Sequence, residues 1–484
     1  MSPALDYSSS EITPLSPTPI RELLSLAAPT VAQMASYTVM QFIDAWVLSR
    51  LGTEAPTAVG NAGFIGFSLI SFGMGVMFVV NAMASQEFGR KRFRRCGRWM
   101  WQGIWFAVAF ALLALPLTFF ARTIFDSFGH PESLVRLEAT YLQIFLLSPV
   151  LKLVGVAAGQ FLLATGRPGA SLTAAALGVA ANAAVIWPLA MGGLGITGMG
   201  VAGAAWAQNI GGLIEAFVLV LYALNATSRN KFGALDWRFR RHAFARLVRI
   251  GTGTGVQIAA EVTAWSLFMV FVIGRLGETA MAANQFMFRY MAISFMPAFG
   301  ISQAVTSLVG RSIGEGRPDL APQRAALGYR VATVYMICCG IGFATLRYPL
   351  MRFFTSDTAV QEIGAVLLLF AAVYQLFDAM NVIYNGALRG VSDTFVPAMV
   401  TAGLCWGVNV LGGFLIAKYY PEWGVTGPWT ACTAYGLVLG IFAILRFRLG
   451  PWRHKSASVS PNDDPDANLP VPAAAAGLAT ASEA

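Results

Sequence analysis

Charge is what this sequence lacks. Asp, Glu, Lys and Arg make up only 12% of its 484 residues, about half of the roughly 25% found in soluble globular chains. A water-facing surface needs such groups, so a soluble globular fold over the whole length is excluded. Cysteine is scarce as well: the five (Cys96, Cys338, Cys339, Cys405, Cys432) are odd in number, four sit in apolar stretches, and none has metal-ligand spacing, which excludes a disulfide framework. The only histidines, His130, His242 and His454, fall between apolar stretches, so any proton relay inside them must use carboxylates. There is no Walker motif, Asp-rich metal cluster or nucleophile elbow. Gly251-Thr252-Gly253-Thr254-Gly255 lacks the Gly-Lys-Ser/Thr ending of a phosphate loop and opens an apolar stretch. No cofactor is implied and ATP is not the energy source. The Ser- and Pro-rich Met1–Pro19 carries acids and no apolar run, which excludes a cleaved signal peptide.

What is present is apolar sequence in long runs. Hydrophobic residues make up 56% of the chain and mean hydropathy is +0.61. A membrane span needs about 20 predominantly apolar residues, and twelve segments qualify, near 22–48, 57–84, 99–121, 138–163, 169–192, 198–224, 248–274, 280–309, 327–349, 362–387, 394–417 and 425–446. With twelve spans, both termini and every even-to-odd loop share one side. That side carries 24 Lys and Arg against 7 on the other, so the positive-inside rule puts both termini and the basic loops in the cytoplasm, at the cell's inner membrane. The same rule accounts for the net charge of +9 without a nucleic-acid partner.

The chain also repeats itself. Ser49-Arg50-Leu51-Gly52 after span 1 matches Gly274-Arg275-Leu276-Gly277 after span 7, and at an offset of 225 Ala58 falls on Ala283, Gly75 on Gly300, Val80 on Val305 and Gly89 on Gly314. Asn182 and Asn409 hold similar places in spans 5 and 11. The expected fold is all-α: two pseudo-symmetric six-helix lobes, parallel repeats related by an axis along the membrane normal. The chain divides into a disordered N-terminus (1–19), an N-terminal lobe (20–225), a basic linker (226–247), a C-terminal lobe (248–448) and a disordered tail (449–484).

An ionisable group costs about 2.5–3.5 kcal/mol or more at the centre of a membrane helix, so each one is a functional candidate. The spans hold the acids Asp44, Glu215, Glu261 and Asp378 and the bases Lys152 and Arg289. Three of the acids lie on polar stripes of helical spacing: Gln33, Tyr37, Gln41 and Asp44 in span 1; Gln257 and Glu261 in span 7; Tyr374, Asp378, Asn381 and Asn385 in span 10. In lipid such stripes face the bundle or a wet cavity. Gln33 and Asn385 equally suit interhelical glue; Glu261 and Asp378 point to ion chemistry. Pro29 permits a kink, about 22 Å before Asp44, and reads as a hinge or as a tolerated membrane proline. Glu215 is expected to pair with Lys152. Arg289 is expected to neutralise Glu261 or Asp378, for gating or for charge balance.

Taken together, these residues resemble the multidrug and toxic compound extrusion family, and its NorM-like bacterial branch, over about Ile20 to Arg448. The motifs are Pro29, Gln33 and Phe42-Ile43-Asp44 in span 1; Gln257 and Glu261 in span 7; Ser294-Phe295-Met296-Pro297 with Leu308-Val309-Gly310 and Gly314 in span 8; and Tyr374-Gln375-Leu376-Phe377-Asp378 with Gly386-Ala387-Leu388-Arg389-Gly390 in span 10. The resemblance implies a central cavity between two lobes and antiport of organic cations against Na⁺ or H⁺, with Glu261, Tyr374 and Asp378 as coupling site and Asp44 as the acid of span 1. Ile186 stands four residues after Asn182, where a second branch has an acid, which weakens coupling wholly within the N-terminal lobe.

On this reading Glu261, Asp378 and Tyr374 present oxygen ligands fit for Na⁺, or take up a proton. Gln33, Tyr37, Gln41, Gln257, Trp265, Asn381 and Arg289 line the substrate cavity, with Phe268, Met287, Phe288 and Phe295 as further aromatic and Met wall. The partners are small cationic molecules, and a monomer is expected. A lipid-linked precursor flippase of the same superfamily would need a basic cavity, against four intramembrane acids and two bases here. A lipid-modifying membrane enzyme would need acidic or His clusters at the membrane surface.

Overall fold

The computed structural model describes residues 19–52, 54–193, 195 and 197–453; the end segments expected to be disordered lie almost wholly outside them. Hydrocarbon offers backbone N–H and C=O groups no partners, so each apolar run becomes a helix, which bonds internally. The spans are α1 (Pro19–Leu48), α2 (Glu54–Gly89), α3 (Cys96–Ala114, then Leu117–Asp126), α4 (Glu132–Phe145, then Pro149–Ala164), α5 (Pro168–Met191), α6 (Val201–Ala223), α7 (Arg241–Leu276), α8 (Glu278–Gly314), α9 (Leu320–Thr345), α10 (Thr358–Gly390), α11 (Phe395–Tyr419) and α12 (Thr426–Leu449). Nine are long and apolar enough to cross a membrane, and the bent pairs α3 and α4 bring eleven. The twelfth, α1, has the length (30 residues) but is diluted by its polar stripe.

The structure adds detail that hydropathy does not carry. Spans 3 and 4 are not straight: α3 bends by 51° at Leu115–Pro116 and α4 by 46° just before Pro149, because proline supplies no N–H and its ring displaces the carbonyl one turn back. α7 passes through a π-helical stretch at Phe268–Val272 and α11 through another at Cys405–Gly412. α7 starts at Arg241, inside the stretch 226–247. The part of that linker before α7 is held in place. It opens with a short helix, Ala226–Phe232, and α3 straps down the extended stretch between this helix and α7. Trp101 Nε1 donates to the Ala234 carbonyl (2.7 Å), Trp105 Nε1 to that of Trp237 (2.9 Å) and Gln102 Nε2 to that of Arg238 (3.0 Å).

Contacts between helices repeat under the lobe exchange. α1 packs on α5 and α8 as α7 packs on α11 and α2, and α2 packs on α8 across the axis. The crossing is backbone to backbone. A Cβ on Gly89 would lie 2.2 Å from the Arg311 carbonyl oxygen, and one on Gly314 2.0 Å from that of Gln86, the same contact seen from each half. Higher up, Gly75 faces Gly255 of α7 and Gly300 faces Val31 of α1 at 2.6 and 3.0 Å. Small residues let membrane helices approach this closely.

The crossing seals the end that carries the basic loops. Asn81 Nδ2 donates to the Gln303 carbonyl (3.0 Å), the Ser85 and Ser307 hydroxyls meet at 3.1 Å, and Gln86 Nε2 donates to the Gly390 carbonyl (2.9 Å). Glu22 of α1 lies 3.9 Å from Arg311 and 3.8 Å from Arg324. Toward the other end α2 and α8 diverge. On the faces that meet below, Phe64 and Phe67 of α2 are 44% and 41% exposed, and Gln285 and Arg289 of α8 are exposed too. Arg289 stands five turns above Ser307 on the same face. The space between the lobes is therefore a cleft, closed at the basic end and open opposite.

If this crossing clamps the closed end, Gly314→Val lowers the apparent Tm of the purified protein by several degrees, while Gly342→Val, which meets nothing within 4 Å, shifts it by about 1 °C or less. Equal losses in a thermal unfolding assay reject the crossing as the clamp.

Candidate functional site: two buried polar clusters

Among the described residues, the acids expected at the site fall into two polar clusters, one in each lobe. In the C-terminal lobe, α7 supplies Gln257 and Glu261 one turn apart, and α10 supplies Tyr374, Asp378 and Asn381 on a single face. Gln257, Tyr374, Asp378 and Asn381 are all buried, between 4% and 9% exposed. Glu261 lies within the field of Asp378, and the Tyr374 hydroxyl lies within the fields of both acids. Glu261 Oε1 is buried without a hydrogen-bond partner. Asn385 donates to Asn381 Oδ1 at 2.5 Å, one turn toward the closed end. Two carboxylates and a phenol within one another's fields offer only oxygen to a small cation, and either acid can take up a proton.

The sequence reading missed one member of this cluster. The base whose charge reaches Glu261 is Arg389, not Arg289, which stands on the cleft wall. Arg389 is 5% exposed and donates to Ser302 Oγ (3.1 Å). At the end of its span it passes for a basic loop residue. The available signal was spacing: Arg389 follows Asp378 by three helical turns, so both lie on one face. Tyr435 of α12, 1% exposed, also approaches the two acids.

Trp265 stands edge-on to Tyr374 at a centroid distance of 6.0 Å and to Phe288 at 5.2 Å, partly buried in the lobe's aromatic core. Phe268 and Met287, expected on the cavity wall, are fully enclosed in that core. The helix phase that brings Glu261 inward turns Phe268, two turns on, the same way.

Asp44 belongs to the other cluster. In the N-terminal lobe Gln33 Nε2 donates to the Tyr37 hydroxyl (3.1 Å), which donates to Glu215 Oε1 of α6. Tyr37 is thus a tether between α1 and α6 rather than a free aromatic wall. Asp44 lies beside Asn182 of α5 and within the field of Lys152, and its Oδ1 is buried without a hydrogen-bond partner. Lys152 does not form the expected ion pair with Glu215. Its Nζ stands 4.5 Å over the Phe145 ring, within the fields of Glu215 and Asp44 together. Gln41 is exposed and joins neither cluster. Pro29 lies within α1, which continues unbroken through it. Of the four expected coupling residues, three converge and the fourth sits apart.

The family described as MatE matches residues 29–188 and 260–415 of the chain. A probable multidrug resistance protein NorM from Mesorhizobium japonicum is 27% identical over 452 residues, covering 91% of this chain and 95% of the relative. One from Pseudomonas syringae pv. tomato is 29% identical over 444 residues, covering 87% and 91%. Among solved structures, a crystal structure of MATE in the bent conformation superposes with a TM-score of 0.81 at 18% identity, covering 91% of this chain and 97% of that one. The eukaryotic MATE transporter AtDTX14 gives 0.80 at 18% identity, covering 90% and 97%.

Arg389→Met should destabilise the protein and Glu261→Gln should partly restore it. In a double-mutant cycle on thermal unfolding the expected coupling is about 0.5–3 kcal/mol. Additive effects would leave Arg389 with no electrostatic part in the site.

Proposed function

The chain belongs to the MatE family, and from that premise we propose that it exports small organic cations in exchange for Na⁺ or H⁺ by alternating access, with Glu261, Asp378 and Tyr374 as the coupling site. The activity is transport, and the protein is a multi-pass membrane protein. The observation that carries the coupling site is the convergence of two carboxylates from α7 and α10 in one buried cluster, with Arg389 as the buried base nearby. Keeping them there has an energetic cost that structure alone does not require.

With the basic loops cytoplasmic, the cleft opens outward, and an ion reaches the acids from outside. Its entry is favoured by about 2.3 kcal/mol per charge per 100 mV. Coupling requires ion and drug to bind the two access states differently. Neutralising Glu261 and Asp378 removes the charge that holds a cationic drug and so favours its release into the open cleft. The return step separates α2 from α8 at Gly89 and Gly314, a contact of small residues and few hydrogen bonds that can re-form. Pro29 lies two residues before Val31, where α1 meets Gly300 of α8, and serves as the flexible point of α1. Gln33, Gln257, Asn381 and Arg289 offer polar contacts along the path. Because both lobes and both halves of the seal come from one chain, a monomer suffices.

In inverted or reconstituted vesicles, Glu261→Gln and Asp378→Asn each reduce gradient-driven dye export at least about tenfold, the loss expected when about 1.4 kcal/mol of coupling disappears. Wild-type export from both variants at normal expression would remove these residues from the mechanism; imposing Na⁺ and pH gradients separately identifies the ion. For orientation, a fluorescent reporter fused after residue 484 should light up and a periplasm-dependent phosphatase at the same point should stay inactive. The reverse pattern would invert the direction of transport proposed here.

A further inference from the structure

Between the short helix Ala226–Phe232 and α7 the chain climbs the side of α3. At its lower end the two backbones touch: a Cβ on Gly97 would stand 2.5 Å from the Gly233 carbonyl oxygen. Higher up, Trp101 and Trp105 give their indole N–H groups to the Ala234 and Trp237 carbonyls. Gln102, itself 0% exposed, donates to the Arg238 carbonyl and accepts from the Arg240 N–H at 3.2 Å. Trp105 stands six residues inside the third apolar run, which opens at 99, about 9 Å at 1.5 Å per residue. Non-helical backbone is tolerated at membrane depth only when protein groups satisfy it, and three side chains of α3 are committed to doing so. The outer face of this strap is apolar. Leu235, Trp237 and Phe239, alternate residues, are 51%, 61% and 51% exposed. Asp236, the only acid between Glu215 and Glu261, pairs with Arg240 (3.1 Å) and lies 4.0 Å from Arg98. Arg238 and Arg241 are exposed beside the apolar face.

We propose that residues 233–240 are seated in the lipid leaflet on the side of the basic loops, with Leu235, Trp237 and Phe239 at the boundary of acyl chains and headgroups and Arg238 and Arg241 on the phosphates of anionic phospholipids. Apolar side chains with basic residues beside them bind a leaflet by area buried plus attraction to anionic lipid, and tryptophan favours that boundary. The strap is bonded to α3 of the N-terminal lobe and runs directly into α7 of the C-terminal lobe, so the leaflet holds the covalent junction of the two lobes. That this leaflet is the cytoplasmic one rests on the orientation proposed above; the seat itself does not.

Trp237→Cys, carrying an environment-sensitive fluorophore and corrected for labelling of the parent protein, reports the seat in vesicles of phosphatidylcholine with about one-third phosphatidylglycerol. A nitroxide on the upper acyl chain should quench it several-fold more than the same label at Asp319→Cys, an exposed position between α8 and α9, and aqueous iodide should quench it several-fold less. Equal quenching at the two positions, or the reverse order, overturns the proposal. If Trp237→Cys does not melt with its parent in detergent, Leu235→Cys on the same face replaces it, with the same two outcomes. With iodide on both faces of the vesicle the result is independent of orientation, so an inverted reporter pattern moves the strap to the other leaflet without touching the seat. For the headgroups, the parent's Tm should be several degrees higher in nanodiscs containing phosphatidylglycerol than in phosphatidylcholine alone, and Arg238→Gln/Arg241→Gln should lose at least about a third of that rise. A rise that the two substitutions leave unchanged, or that inorganic phosphate reproduces in phosphatidylcholine nanodiscs, overturns the assignment to anionic lipid.

Discussion

Gly89 of α2 lies against the Arg311 carbonyl of α8, and Gly314 of α8 against the Gln86 carbonyl of α2. Two helices from different lobes can approach this closely only because one residue of each contact is a glycine and the other presents its backbone carbonyl. That contact places everything else. It fixes the lobes at one end, brings α1 of one half onto α8 of the other and α7 onto α2, and leaves the opposite ends apart as a cleft. A seal of small residues with a few hydroxyl and amide hydrogen bonds buries little that is hard to release. A large interlocking apolar interface would close the same end too firmly to reopen, because packed interiors resist small rearrangements.

On this shared scaffold the lobes carry unlike electrostatics. The C-terminal lobe sets Glu261 within the fields of Asp378 and of the buried base Arg389, while in the N-terminal lobe Lys152 stands on the Phe145 ring within the fields of Glu215 and Asp44. The backbone differs in the same sense. Among the described residues, π-helical turns occur in α7 and α11 of the C-terminal lobe, whereas their partners α1 and α5 are regular. Cys405, in the π turn of α11, meets the Ala260 carbonyl beside Glu261, so the irregular backbone lies against the acid site. Such bulges often accompany functional sites because they leave backbone groups less committed to the helix.

The chain belongs to the MatE family, and its two lobes place their buried charges differently. Arg389, beyond Asn381 and Asn385 along α10, acts on Glu261 from the closed end.

Span number, loop charge bias, the repeat and the polar stripes are each set by a stretch of chain on its own, through local hydropathy and helical phase. They were legible in residues such as Gly89 and Gly314, or Tyr374 and Asp378 one turn apart. The convergence of Glu261 with Tyr374 and Asp378 was expected only through family resemblance. Tertiary structure alone decided that Asp44 sits apart from them, that Tyr37 bonds to Glu215, that Lys152 stands on Phe145, and that Arg389 rather than Arg289 reaches Glu261. These depend on how far apart and at what rotation separate helices meet, and helix rotation is fixed by packing between distant segments, on which no single span's sequence reports.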